Sequence, residues 1–67
     1  MNVILKGEFI TLGQILKAAG MVMSGGEAKD AITGGLVKVN GEIETRRGRK
    51  LYKGDEVFFE GQSCMVE

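Results

Sequence analysis

The hydrophobic pattern of this chain changes period at Gly34-Gly35, and that switch limits the fold more than any other feature. Before it, Leu12, Ile15, Leu16 and Ala19 recur at i, i+3, i+4 and i+7, which places them on one face of a helix. Thr11 and Gln14 have the capping-box spacing at its start, Gly20 suits a left-handed cap at its end, and Lys17 suits the negative pole of its dipole. Ser24 and Glu27 repeat the spacing at the start of a second helix. Its apolar stripe of Ala28, Ala31 and Ile32 is narrow and mostly small, so the two helices can approach closely.

After Gly35 the pattern alternates, with Val37 and Val39 opposed to Lys38, and Asn40-Gly41 is a strong tight-hairpin signal. A return strand is expected over 42–45, then an exposed crossing at Arg46 to Lys50, a short Leu51-Tyr52 stretch and a turn at Lys53-Gly54-Asp55. Glu56 to Glu60 reads as a strand, Gly61-Gln62 as a turn and Ser63 to Val66 as a last strand, with Val3 to Ile10 as an N-terminal edge strand. The expected fold is α+β, two short helices packed on a small, mostly antiparallel sheet.

With 67 residues the chain has room for one core, so residues 1–67 are expected to form a single domain of thin stability margin. The single cysteine, Cys64, cannot form an intrachain disulfide, which suits a reducing cytoplasm. No uncharged run approaches the roughly 20 residues that a membrane span needs, and Lys6 and Glu8 interrupt any signal-peptide pattern. A cytoplasmic chain without membrane contact is expected.

The absence of histidine removes the commonest general base, the usual nucleophilic triads and most zinc sites. Gly25-Gly26 lacks the Lys-Ser/Thr that completes a phosphate-binding loop, and Cys64 reads as a small buried hydrophobe on a strand. No catalytic residue, metal or cofactor is expected.

Nine basic and nine acidic residues cancel overall, but they are segregated. From Lys29 to Lys53 there are seven basic residues against three acidic, a net +4, while Gly54 to Glu67 carries four acidic residues and no base. Within this basic stretch, Arg46-Arg47-Gly48-Arg49-Lys50 sets four cations in five residues, which repel one another unless an anion lies close by. A solvated loop paired with Glu42, Glu44 or the acidic tail is the competing reading. Tyr52, Phe58 and Phe59 read as core or near-core residues. With so few aromatics, recognition of structured RNA by shape and phosphate fits better than stacking of bases on a platform.

Leu12 and Leu16, then Ser24, Ala28 and Ile32, then Gly35-Leu-Val-Lys-Val-Asn-Gly41 and finally Gly54-Asp55 resemble the S4-type RNA-binding domain, or alpha-L motif, named after ribosomal small-subunit protein four. The likeness runs from about Ile10 to Val57 and is most specific from Gly35 to Gly41. The Ser-Gly-Gly-x-Ala-Lys start and the Arg-Arg-Gly-Arg-Lys-Leu run are similar to small stand-alone bacterial members.

The resemblance implies binding of folded ribosomal or transfer RNA through Lys29, Lys38, Asn40, Arg46, Arg47, Arg49 and Lys50, with Lys53 at the periphery. Many members carry arginine where this chain has Thr11 and Gly25, which implies a footprint moved toward the hairpin side. The expected function is a non-catalytic, monomeric RNA-binding module that contacts phosphates of structured RNA, ribosomal RNA foremost, in association with the ribosome. The alternative is a small adaptor that engages a protein partner through its segregated charges.

Overall fold

The computed structural model describes residues 1–67. The first helix, α1 (Leu12–Ala18), is capped at Thr11, whose hydroxyl accepts from the Gln14 amide while the Gln14 side chain accepts from the Thr11 amide. At its other end Gly20 takes a φ of 73°, and the amides of Gly20 and Met21 donate to Lys17 and Leu16. That is a Schellman ending, and glycine enters the left-handed region it needs without a steric cost. The second helix, α2 (Gly25–Thr33), ends in the same way at Gly35, with Leu36 N–H donating to the Ala31 carbonyl. Its start has half of the expected box: the Ser24 hydroxyl accepts from the Glu27 amide at 3.2 Å.

The strands are β1 (Asn2–Val3), β2 (Ile10–Thr11), β3 (Val37–Val39), β4 (Glu42–Ile43), β5 (Lys50–Leu51), β6 (Glu56–Phe59) and β7 (Gln62–Val66). Five of them form a sheet in the order β1-β7-β6-β3-β4, antiparallel except for the β1–β7 edge, and β2 and β5 form a separate antiparallel pair. The α+β class and the mostly antiparallel sheet are as the sequence leads one to expect. One face of the large sheet, bearing Val37, Val39, Val57, Phe59, Cys64 and Val66, meets Leu12, Ile15, Leu16, Ala28, Ala31 and Ile32 of the helices in a single core. Leu51 of the small pair is buried in the same cluster. No helix is long and apolar enough to cross a membrane.

Four local expectations need correction. Val3 to Ile10 is not one edge strand: Asn2–Val3 pairs parallel with β7, whereas Ile10–Thr11 pairs with β5 in the other sheet. The chain leaves one sheet and joins the other through the Lys6-Gly7-Glu8 bend, which lets it enter α1 directly from β2. The return strand stops at Ile43 because the Glu44 carboxylate turns back to accept the amides of Thr45 and Arg46, replacing ladder bonds with side-chain bonds. The last hairpin turn is Glu60-Gly61, one residue earlier than expected, with φ values of 51° and 76° that parallel the 51° and 87° of Asn40-Gly41. Finally, of the three later aromatics only Phe59 is buried; Phe58 points to the open face of the sheet and Tyr52 is half exposed. Strand alternation from buried Val57 fixes that outcome for Phe58.

Candidate nucleic-acid interface

The cationic run is a loop docked onto the start of α1. The first amides of a helix have no intrahelical acceptor, and here the Leu12 N–H donates to the Arg49 carbonyl at 2.9 Å and the Gly13 N–H to the Arg47 carbonyl at 3.1 Å. The Thr11↔Lys50 pairing between β2 and β5 continues the same seam. The helix therefore holds the loop by its backbone, and the side chains of Arg46 and Arg47 remain exposed. Gly13 permits this close approach: a Cβ there would lie 2.9 Å from Cγ of Arg47.

Under the loop sits Glu44, buried at 7% exposure although it is a charged residue. Its carboxylate accepts from the amides of Thr45 and Arg46, from Nε and Nη2 of Arg46, and from Nη1 of Arg49 at 3.0 Å. The Arg46 side chain and the Arg46 amide are the main reasons that the carboxyl is held at about 2, against a partial opposing effect of burial. Glu44 is thus the acid that the competing reading called for, and it pairs with two of the four cations. One carboxylate against four cations still leaves the segment from Glu44 to Lys50 at +3.

Arg47 has no carboxylate partner, and neither have Lys17, Lys29, Lys38, Lys50 or Lys53. Lys50 instead places its ammonium 4.8 Å from the centre of the Phe9 ring. Beside the loop, Gly13 and Lys17 of α1, Gly25 and Ala28 of α2, and Arg47 and Gly48 line an open cleft of about 280 Å³. Gly25, the first residue of α2, lies at this cleft, and its amide has no intrahelical acceptor. Lys29 follows one turn later on the same helix.

The structure gathers Arg46, Arg47 and Arg49 in the loop docked on α1, with Lys50 opening β5 at its end; Lys29 is exposed on α2, and Lys53 lies in the exposed turn after β5. It places Lys38 elsewhere, on the outer face of the sheet opposite Ile43 and Phe58, because its neighbours Val37 and Val39 face the helices. Asn40 is occupied within the fold: its amide donates to Asp55 at 3.1 Å and its oxygen accepts from the Glu56 N–H at 2.9 Å. Asp55 in turn accepts from the Tyr52 amide, and that bond first, then the Asn40 amide, lowers its pKa against burial. Sequence reading gave Lys17 to the helix dipole alone. Its place at the cleft has no local signal beyond its position one turn after Gly13.

Residues 3–67 match the model of the S4 domain. The chain belongs to this family. It is 56% identical over 54 residues to the "Probable ribosome maturation protein RlbA" of Bacillus subtilis (strain 168), covering 81% of this chain and 76% of that protein. It is also 43% identical over 61 residues to YbcJ of Escherichia coli (strain K12), covering 91% of this chain and 87% of YbcJ. The solution structure of Escherichia coli YbcJ, described as revealing an alfaL motif involved in RNA-binding, superposes with a TM-score of 0.74 at 41% identity, covering 97% of this chain and 84% of that one. This chain and YbcJ thus share one fold over nearly the whole of this chain.

Proposed function

We propose that this S4 domain binds structured RNA through backbone phosphates, ribosomal RNA foremost, and catalyses no reaction on it. The observation that carries this reading is the cationic loop docked by its carbonyls on α1, which presents Arg47 without an acidic partner next to a cleft lined by Lys17 and the first turn of α2. Guanidinium groups fork onto phosphate oxygens, and a rigid loop spends little conformational entropy in doing so. Glu44 neutralises part of the charge but holds Arg46 and Arg49 in place. The RNA-binding description of YbcJ and the ribosome-maturation name of RlbA support the RNA class and the ribosomal preference.

In this reading Arg46, Arg49 and Lys50, neighbours of Arg47 in the run, extend the contact, Lys29 and Lys53 add to it from α2 and from the turn after β5, and Lys38 serves RNA only where the ligand wraps round the sheet edge. Asn40 acts by shaping the hairpin. The test is binding to bulk ribosomal RNA, transfer RNA and duplex DNA over a salt series, for the parent and for Arg47→Ala and Lys17→Ala. Each lost phosphate contact is expected to lower the salt slope by about 0.7–0.9. Unchanged affinity and slope in both variants would count against this face.

A further inference from the structure

At its β2–β5 side the cationic face ends in an aromatic pair that phosphate binding leaves unused. Phe9 precedes β2 and Tyr52 follows β5, so the Ile10↔Leu51 pairing brings their rings together, with centroids 6.2 Å apart and planes tilted by 55°. Both rings are open to solvent, at 40% and 50% exposure. Lys50, which continues the cationic loop into β5, lies over the Phe9 ring. Phe9 also lines an open, largely apolar cleft of about 410 Å³ between the N-terminal segment and α1, with Lys6 among its lining residues.

We propose that Phe9 and Tyr52 form a stacking site for one unpaired base of the bound RNA, with Lys50 placed to meet the flanking phosphate. This rests on the RNA reading above and narrows it. The ligand is a folded RNA that offers an unstacked nucleotide, in a loop, bulge or end, beside a helical segment. Every base has a π-face that stacks on an aromatic ring, while a perfect duplex keeps its bases stacked on one another and offers only phosphates and hydroxyls. An aromatic pair covered by a protein partner would not need a lysine of the cationic run over its ring. Here the lysine that bridges ring and loop makes the two surfaces continuous.

Tyr52 is the only tyrosine, and the chain has no tryptophan, so intrinsic fluorescence reports on this ring alone. The whole chain is titrated with two RNAs of identical stem sequence, a hairpin with an unpaired loop and a blunt duplex. The hairpin should quench Tyr52 and bind at least about five-fold more tightly than the duplex, the lower end of the effect of stacking one base on an aromatic ring. Tyr52→Leu should abolish that preference while keeping duplex affinity, which also shows that the variant folds. Tyr52→Phe should retain the preference, since the ring and not the hydroxyl stacks.

Equal binding of both RNAs, or a preference that survives in the Phe9→Leu/Tyr52→Leu double variant, overturns the stacking site and leaves the phosphate reading standing. A Tyr52→Leu variant that loses hairpin and duplex binding in equal proportion overturns it as well. Failure of the parent to bind either RNA overturns both readings.

Discussion

Gly13 and Arg47 touch twice: the Gly13 amide donates to the Arg47 carbonyl at 3.1 Å, and the missing side chain of Gly13 leaves the space that the Arg47 stem fills. Backbone and side chain of one loop residue are therefore both positioned by one helical glycine. Alanine at position 13 gains about 1 kcal/mol of helix propensity, which offsets the cost of moving the Arg47 stem. Gly13→Ala should leave the thermal midpoint nearly unchanged while disturbing Arg47. Gly13→Val cannot be absorbed in this way and should lift the loop, lowering the midpoint and reducing the salt slope of RNA binding by about the 0.7–0.9 of one contact. Thermal melts beside a salt titration separate the two effects.

Glu44 gives the fold an acid-sensitive joint. Its folded pKa, about 2, lies below the ordinary value of 4.5, so it contributes stability that is fully present above the ordinary value and is lost as the pH falls toward 2. Acid melts should show a decline in the thermal midpoint over that window, and Glu44→Gln should flatten it. At neutral pH the same variant should be less stable by about 1–3 kcal/mol, the scale of hydrogen bonds to a charged group.

Asn40 should behave as a structural residue. Asn40→Gly keeps the positive φ of the turn but removes the bonds to Asp55 and to the Glu56 amide, at an expected cost of about 1–2 kcal/mol. Denaturant unfolding should register the loss. The salt slope of RNA binding, measured where the variant is fully folded, should stay that of the parent.

Glu60 sits at a φ of 51° with its side chain exposed, a conformation that glutamate resists and asparagine tolerates. Glu60→Asn would make this turn a second Asn-Gly hairpin and is expected to stabilise the domain by about 0.5–1 kcal/mol. A rise of several degrees in the thermal midpoint, without change in RNA affinity, is the result to look for.

What was legible in the sequence is local, and what was not depends on distant pairing. The Thr11 cap, the endings at Gly20 and Gly35 and the Asn40-Gly41 turn are each encoded within a few residues, and all of them form. The parallel β1–β7 edge joins the two ends of the chain, and no short window announces it. Glu44 and Glu42 look alike in an alternating strand, yet Glu44 alone turns inward, because Arg46 and Arg49 can reach it from the loop. The aromatic pair was equally hidden. Phe9 and Tyr52 meet only through the β2–β5 register, and the run of Val57, Phe58 and Phe59 does not reveal from composition which ring faces out. The family resemblance agreed with the α+β class that periodicity had already given, but it did not mark Lys17 or the docking of Arg47 and Arg49 on α1.

The pairing of β1 with β7 has a topological consequence. The Leu5 amide reaches the Glu67 carbonyl at 2.7 Å and the Glu67 amide reaches Val3 at 2.8 Å, so the first and last strands are zipped side by side. Because that pairing is parallel, Met1 and Glu67 lie at opposite ends of the seam, and the domain falls short of a closed ring by a few residues of chain running back along it. A short flexible bridge between its ends would close it, and reopening the chain at the exposed Glu60-Gly61 turn would give a circular permutant with the same core and the same cationic loop.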